Sequence, residues 1–429
     1  MNKKISLFFL IVVLNSCKSD STQPIMPDTT NLEKSNVEWL KGYPGGGYGR
    51  AVATDNEGNS YVVGYGNLIS DTLTNYASQY VHQPSFLMKF DPNGNILWIK
   101  YGLVRFNGVV VDDQNNILVG GEFEANSSIS SKQKILQDAT LLKFNKDGDL
   151  LWSKYVLGSI WLMKWSKNGI ICMISSPVSL TKISNDGNVI FSIPFDKATY
   201  SIGDFDIDQD NEICLTGRMY GSGIFGNITL TSTSAKDFYV AKYDASGNCI
   251  WAKNYGYGIN KYDSDGYNIC FDNNKNIIVA GMYENDYSIE GYHFSAVGSY
   301  NSLFMICYDN AGNAKWAKNI GGSPTSVGSM IIDKENNIYL SNGFWTDLYL
   351  SPAVYTTNPP GAFVAKFDPN GNVIWTEIMK SNYSPFIFRM SLNNNNDVFV
   401  TGQFQNDIYA GSNSLSGGLD FFLAKIKAH

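Results

Sequence analysis

The chain has 429 residues and a formal net charge of −7, from 32 Lys and Arg against 39 Asp and Glu. The basic residues are scattered and form no stripe, which argues against nucleic acid as a partner. His82, His293 and His429 share no metal-ligand spacing with one another or with a Cys, and no apolar run after the first 20 residues reaches membrane-spanning length.

The amino terminus reads as an export signal, with Lys3 and Lys4 ahead of the apolar stretch Ile5 to Leu14. The run Leu14-Asn15-Ser16-Cys17 resembles the processing site of bacterial lipoproteins, with Leu three residues before a Cys and a small residue directly before it. The resemblance implies that residues 1–16 are a lipoprotein signal peptide and that Cys17 becomes the lipidated first residue. It also implies a lipid anchor in a bacterial outer membrane, with the protein facing the periplasm or the surface. The alternative is an ordinary secretory signal with an incidental Cys. Residues 17–35 are rich in Ser, Thr, Pro, Asp and Asn and read as a flexible tether. Lys18-Ser19-Asp20 resembles the surface-export signals of Bacteroidetes lipoproteins.

From residue 36 onward one unit recurs. Its landmark is a Trp two residues before a Lys, at Trp39, Trp98, Trp152, Trp251 and Trp316. Trp375 stands in Trp375-Thr376-Glu377 instead, and Phe191 takes the Trp place in a degraded third copy. Each unit offers four short strand-like stretches divided by turns. One turn has the form Asp91-Pro92-Asn93-Gly94-Asn95 and recurs at 244–248, 309–313 and 368–372. In the other, Asn115, Asn211, Asn336 and Asn396 stand where the first copy has Gly58. Asn is the side chain that best replaces Gly in the left-handed region.

Four antiparallel strands per unit is the layout of a β-propeller blade. Seven copies of the Phe-x-x-Ala-Lys strand begin at 86, 140, 179, 238, 304, 363 and 421. The last runs into the carboxyl terminus, while Trp39 has no such strand before it. The expectation is an all-β, seven-bladed β-propeller over 36–429, in which residues 37–41 supply the outer strand of the last blade. Closure of that kind removes exposed sheet edges. The run Phe363-Val364-Ala365-Lys366-Phe367-Asp368 through Gly371-Asn372-Val373-Ile374-Trp375 and its counterparts resemble the bacterial β-propeller repeat family called SBBP. The resemblance spans about residues 37–427 and implies a fold rather than an activity.

Chemistry is sparse. Cys172, Cys214, Cys249, Cys270 and Cys307 fall inside predicted strands and read as small buried hydrophobes. Asp206 is unusual, because its counterparts are Ala53, Val110, Cys270 and Ile331. A carboxylate at an apolar inner-strand position needs a partner. That partner is either a backbone or neighbouring-blade group or calcium, held with Asp204, Asp208 or Asp210. No other cofactor is implied.

The loops joining second to third strands are long in six units and differ in sequence. Tyr65, Tyr80, Tyr220, Tyr287, Tyr292, Trp345 and Tyr349 fall in them. One expectation is a raised aromatic rim with a notch at the third unit, holding a glycan or an envelope protein. The other is that these aromatics pack within their own hairpins, as the alternation Ile289 to Phe294 suggests. The chain thus reads as a monomeric, lipid-anchored, non-catalytic binding module. Its rivals are a propeller enzyme using Asp204, Asp206, Asp263 and Asp265 near the channel, and a structural spacer.

Overall fold

The recurrent turns set the strand lengths. In the computed structural model, Asp91 Oδ1 accepts the amides of Asn93 and Asn95 at 2.9 and 2.8 Å, and Gly94 donates to the Asp91 carbonyl at φ +75°. Asp244, Asp309 and Asp368 repeat the arrangement. One carboxylate thus satisfies amides that the reversal leaves without strand partners. At the other turn, Asn115, Asn211, Asn336 and Asn396 have φ of 61° to 67°. The fifth copy places Lys275 there, at φ 62°, outside the Asn pattern.

The structure describes residues 35–66, 85–102, 105–122, 140–156, 158–166, 169–174, 178–195, 201–256, 264–295, 301–322, 324, 328–350, 353–357, 360–383 and 385–428, with the backbone of 128–129, 133–134, 175 and 200. The signal peptide, Cys17, nearly all of the tether, Tyr80 and Asp263 lie outside them. Among the described residues the regular elements are all β-strands, and every pairing is antiparallel.

The first sheet comprises Tyr48–Thr54, Ser60–Tyr65, Ser85–Phe90 and Ile96–Gly102. The second comprises Arg105–Val111, Ile117–Glu122, Leu141–Phe144 and Leu150–Lys154, and the third Ile160–Ser166, Gly169–Ser175, Val178–Ile183 and Val189–Pro194. Next come Tyr200–Ile207, Ile213–Met219, Asp237–Tyr243 and Cys249–Tyr255, then Ser264–Phe271, Ile277–Tyr283, Ser302–Tyr308 and Ala314–Gly321. The sixth comprises Ser329–Ile332, Ile338–Phe344, Gly361–Phe367 and Val373–Ser381, and the pairing of Met379 with Ala410 and Ser381 with Ile408 joins it to the last set in one eight-stranded sheet. The last set runs Phe386–Leu392, Val398–Ala410 and Asn413–Ile426, and Val37–Tyr43 pairs with its outer edge. In that pairing Trp39 lies opposite Lys425 and Tyr43 opposite Phe421.

The first strand of each sheet lies against the first strands of the sheets before and after it, and Tyr48–Thr54 lies against Phe386–Leu392. Thr54 Oγ1 reinforces that junction by donating to the Leu392 carbonyl at 2.6 Å. Apolar side chains fill the spaces between neighbouring sheets, as where Tyr61, Val63 and Leu87 meet Phe106, Val119 and Phe144. The result is the radial packing of a β-propeller.

Between sheets the recurrent Trp does one job. Trp39, Trp98, Trp251 and Trp316 each donate Nε1–H to a carbonyl in the outer turn of the next sheet, at 3.1 to 3.4 Å. The rings lie on the turn glycines, so that a β-carbon on Gly94 or Gly371 would come within 2.9 Å of Trp39 or Trp316. In the degraded copy Phe191 covers Gly247 in the same way.

Trp375 has no such turn before it, because the paired strands Asn413–Ile426 and Val37–Tyr43 of the next sheet are not joined by one. Its Nε1 makes no hydrogen bond among the described residues. Glu377 departs from the Lys pattern for the same reason. In other copies that Lys reaches the turn Asn, as Lys41 reaches Asn95 and Lys318 reaches Asn372. Glu377 instead accepts from Ser35 Oγ at 2.8 Å and the Asn36 amide at 3.1 Å, holding the incoming strand. Removal of residues 1–45 is therefore expected to unfold or aggregate the protein, whereas removal of 1–34 leaves the melting temperature unchanged. Glu377→Lys is expected to cost about 1–3 kcal/mol by orphaning these donors. Thermal denaturation of the three variants checks this, and equal stability of the two truncations contradicts it.

Candidate functional site

Six inner strands carry one extra residue near their start, where the register to the second strand slips. These residues are Arg50, Asn107, Trp161, Gly203, Tyr267 and Phe388. A bulge re-aims a side chain relative to a regular strand. Here the bulges recur at one level, close to the entrance of the space that the inner strands surround. Arg50 lies over the Phe388 ring, 5.5 Å from its centroid. Phe388 lies 6.5 Å from Tyr48, and Tyr48 4.9 Å from Tyr65. Trp161 remains 43% exposed.

Below this level lies a cavity of about 360 Å³, whose polar lining comes from Thr54, Asn107, Lys164, Asp204, Ser329, Arg389 and Ser391. Asp204 accepts the Phe205 amide at 2.9 Å. Asp206 accepts the Phe271 amide at 2.9 Å, and its other oxygen lies 3.7 Å from Lys164 Nζ. Burial raises the Asp206 pKa, and Lys164 only partly offsets it. Burial also opposes charge on Lys164, yet Asp206 and Asp204 hold its pKa above the ordinary lysine value. Arg389 Nη1 donates to the Phe388 carbonyl at 3.0 Å. Burial lowers its pKa, Asp204 opposes the shift and Arg50 adds to it.

Each of the four aspartates considered for calcium has partners within the protein. Asp204 and Asp206 face backbone amides and Lys164. Asp208 caps its turn by accepting from Asp210 and Glu212 amides, and Asp210 pairs with Lys275 at 2.6 Å. Among the described residues no group of three or more His, Cys, Asp or Glu is arranged to hold a metal ion. The five cysteines among them are free; Cys172, Cys214, Cys270 and Cys307 are buried as expected, and Cys249 is half-buried.

The long loops do not stand as a wall in the fourth to sixth sheets. The hairpin Ser222–Phe225 with Ile228–Thr231 lies against Cys249–Tyr255, and Tyr292–Phe294 and Asp347–Leu350 lie against Ala314–Gly321. Alternation drives this, since Tyr287 and Ile289 are buried while Ser288 between them is exposed. Tyr287, 2% exposed, is therefore a packing residue rather than a contact residue, and its hydroxyl donates to the Tyr255 carbonyl at 2.9 Å. Tyr292 donates to the Lys315 carbonyl at 2.9 Å. Tyr349 rests on Gly321 and lines a second cavity of about 420 Å³ with Lys318 and Asn372. Tyr220 is half-buried. Trp345, at the corner of its hairpin, is 51% exposed. Tyr65 is the rim residue that the structure brings to the channel mouth.

Sequence reasoning passed over Arg50, Phe388, Arg389 and Lys164. The signal was present, because Lys164 occupies the same inner-strand position as Asp206, and Arg389 the same as Asp204. The comparison of copies around Asp206 had left out the third and the last.

No family model matches the chain. It is 22% identical over 415 residues to an uncharacterized WD repeat-containing protein of Acanthamoeba polyphaga mimivirus, covering 82% of this chain and 29% of that protein. The chain thus spans less than a third of that relative's length. Among solved structures, hydrazine synthase of Kuenenia stuttgartiensis aligns with 83% of this chain and 92% of its own, at 10% identity and a TM-score of 0.49. BamB of Moraxella catarrhalis aligns with 90% of this chain and 100% of its own, at 10% identity and a TM-score of 0.42.

Replacing Asp206 with Asn leaves Lys164 with Asp204 as its remaining counter-charge. Asp206→Asn is expected to destabilise the protein by about 1–3 kcal/mol. Calcium is expected to leave the wild-type melting temperature unchanged, and a calcium-dependent rise that the variant loses contradicts this account of the aspartates.

Proposed function

We propose that the chain is a seven-bladed β-propeller, completed by the strand Val37–Tyr43, that acts as a non-catalytic binding module for a glycan or an envelope protein. In this reading Cys17 carries a lipid that holds it at a bacterial outer membrane. The repeat's resemblance to SBBP propellers and the pairing of Val37–Tyr43 with Asn413–Ile426 support the fold part.

The observation that carries the binding part is the contrast between the two turn-bearing ends of the sheets. At one end the turns are near-identical and tied to each other, as where the Asn273 amide meets Asn336 Oδ1 at 2.8 Å. At the other, exposed Trp345 and Trp161 and the group Tyr48, Tyr65, Arg50 and Phe388 vary from sheet to sheet. Exposed aromatics give contact area at low entropic cost. Of the acids that the catalytic reading draws on, Asp204 and Asp206 are engaged by backbone amides and Lys164, and Asp265 lies 3.5 Å from Arg218.

The test is a glycan array and affinity capture with the full chain in detergent. Trp345→Ala is expected to weaken the recovered interaction about tenfold, the effect of a central anchor, with the melting temperature unchanged. Cys17→Ala is expected to release the protein from membranes. Normal binding by the Trp345 variant, or equal fatty-acid incorporation without Cys17, overturns the corresponding part.

A further inference from the structure

The inner strands place two arginines side by side at the junction of the last sheet and the first. Arg389 lines the cavity, and Arg50 stands above it on the Phe388 ring. The ion pairs of the inner strands and their neighbours are Lys164–Asp206 and Arg218–Asp265. Among the described residues no ion pair includes Arg50 or Arg389. Arg389 is tied by Nη1 to the carbonyls of Phe388 and Gly328, at 3.0 and 3.5 Å. These bonds fix the plane of the guanidinium without neutralising it. Stacking on Phe388 likewise orients Arg50 without using its N–H donors.

Two like charges held together are costly unless anions join them, and here the one nearby carboxylate acting on Arg389, that of Asp204, also faces Lys164. An Arg pair has the planar, forked donors that suit a carboxylate. The flanking surface is aromatic, from Tyr48 and Tyr65. The cavity beneath, about 360 Å³, is at the small end of the range for small-molecule sites and too small for a folded partner.

We propose that Arg50 and Arg389 form a carboxylate-binding subsite at the channel mouth, for a free sugar acid or the acidic terminal sugar of a glycan. The proposal rests on the reading of this face as a binding surface. Arg389 holds the carboxylate from within the channel, Arg50 closes over it, and the sugar ring lies against Tyr48 and Tyr65.

Calorimetric titration of the full chain in detergent with glucuronate, glucose and inorganic phosphate tests it. Saturable binding of glucuronate without binding of glucose is expected. Arg50→Gln and Arg389→Gln are each expected to weaken it about tenfold or more at unchanged melting temperature, with Arg389→Lys intermediate because it keeps charge but loses the fork. A glucuronate-terminated oligosaccharide that binds more tightly than glucuronate assigns the ligand to a glycan, and equal affinity assigns it to a free acid. Equal binding of glucose, phosphate as tight as glucuronate, or full affinity in the double Arg variant overturns the subsite. Capture of a neutral glycan through Trp345 without any glucuronate binding overturns it too, while leaving the binding-module reading intact.

Discussion

An indole ring resting on the glycine of a neighbouring turn is the contact on which the rest of this architecture depends. A four-stranded sheet of this size cannot bury its faces alone, so each must lean on the next. The turn glycine serves twice. It adopts the left-handed backbone that closes the hairpin, and its missing side chain lets the ring approach to van der Waals distance. The ring then returns a hydrogen bond to the same turn. Register within one sheet and docking between sheets are therefore fixed by the same five residues of sequence.

The exceptions follow the same logic. Where the paired strands of the next sheet are not joined by a turn, Trp375 has no carbonyl to reach, and the Lys that would steady the turn becomes Glu377, which holds Ser35 and Asn36. Where the third copy loses its Trp, Phe191 still covers Gly247. The apolar contact persists when the hydrogen bond is lost, which places the larger share of the docking in ring burial.

The repeat was legible because turn chemistry and ring docking leave local marks: Asp, Gly and Asn at fixed offsets, and a Trp ahead of a Lys. The departure at Glu377 was visible too, but its reason was not, since it lies in a contact with Ser35 on the far side of the sequence. The channel was poorly legible. Arg389 and Lys164 acquire their meaning only once inner strands from different sheets face each other, and the bulges at Arg50 and Phe388 leave no mark in the sequence. The loop aromatics were half legible. The alternation around Tyr287 foretold packing, whereas the exposure of Trp345 depends on how its hairpin lies against Ala314–Gly321.

The channel and the mouth share one economy of charge. Asp206 is paired with Lys164 within the walls, whereas among the described residues the two arginines at the junction of first and last sheets make no ion pair, and of the carboxylates Asp204 alone acts on Arg389. That junction exists only if Val37–Tyr43 completes the last sheet and brings Tyr48–Thr54 beside Phe386–Leu392. Native-state hydrogen exchange of the Val37–Tyr43 amides tests this most directly. The account predicts that the amides paired with Asn413–Ile426 exchange as slowly as those in the interior strands, opening only with the whole domain. Exchange of these amides at the rate of an unpaired segment, with the remaining sheets still protected, would contradict it.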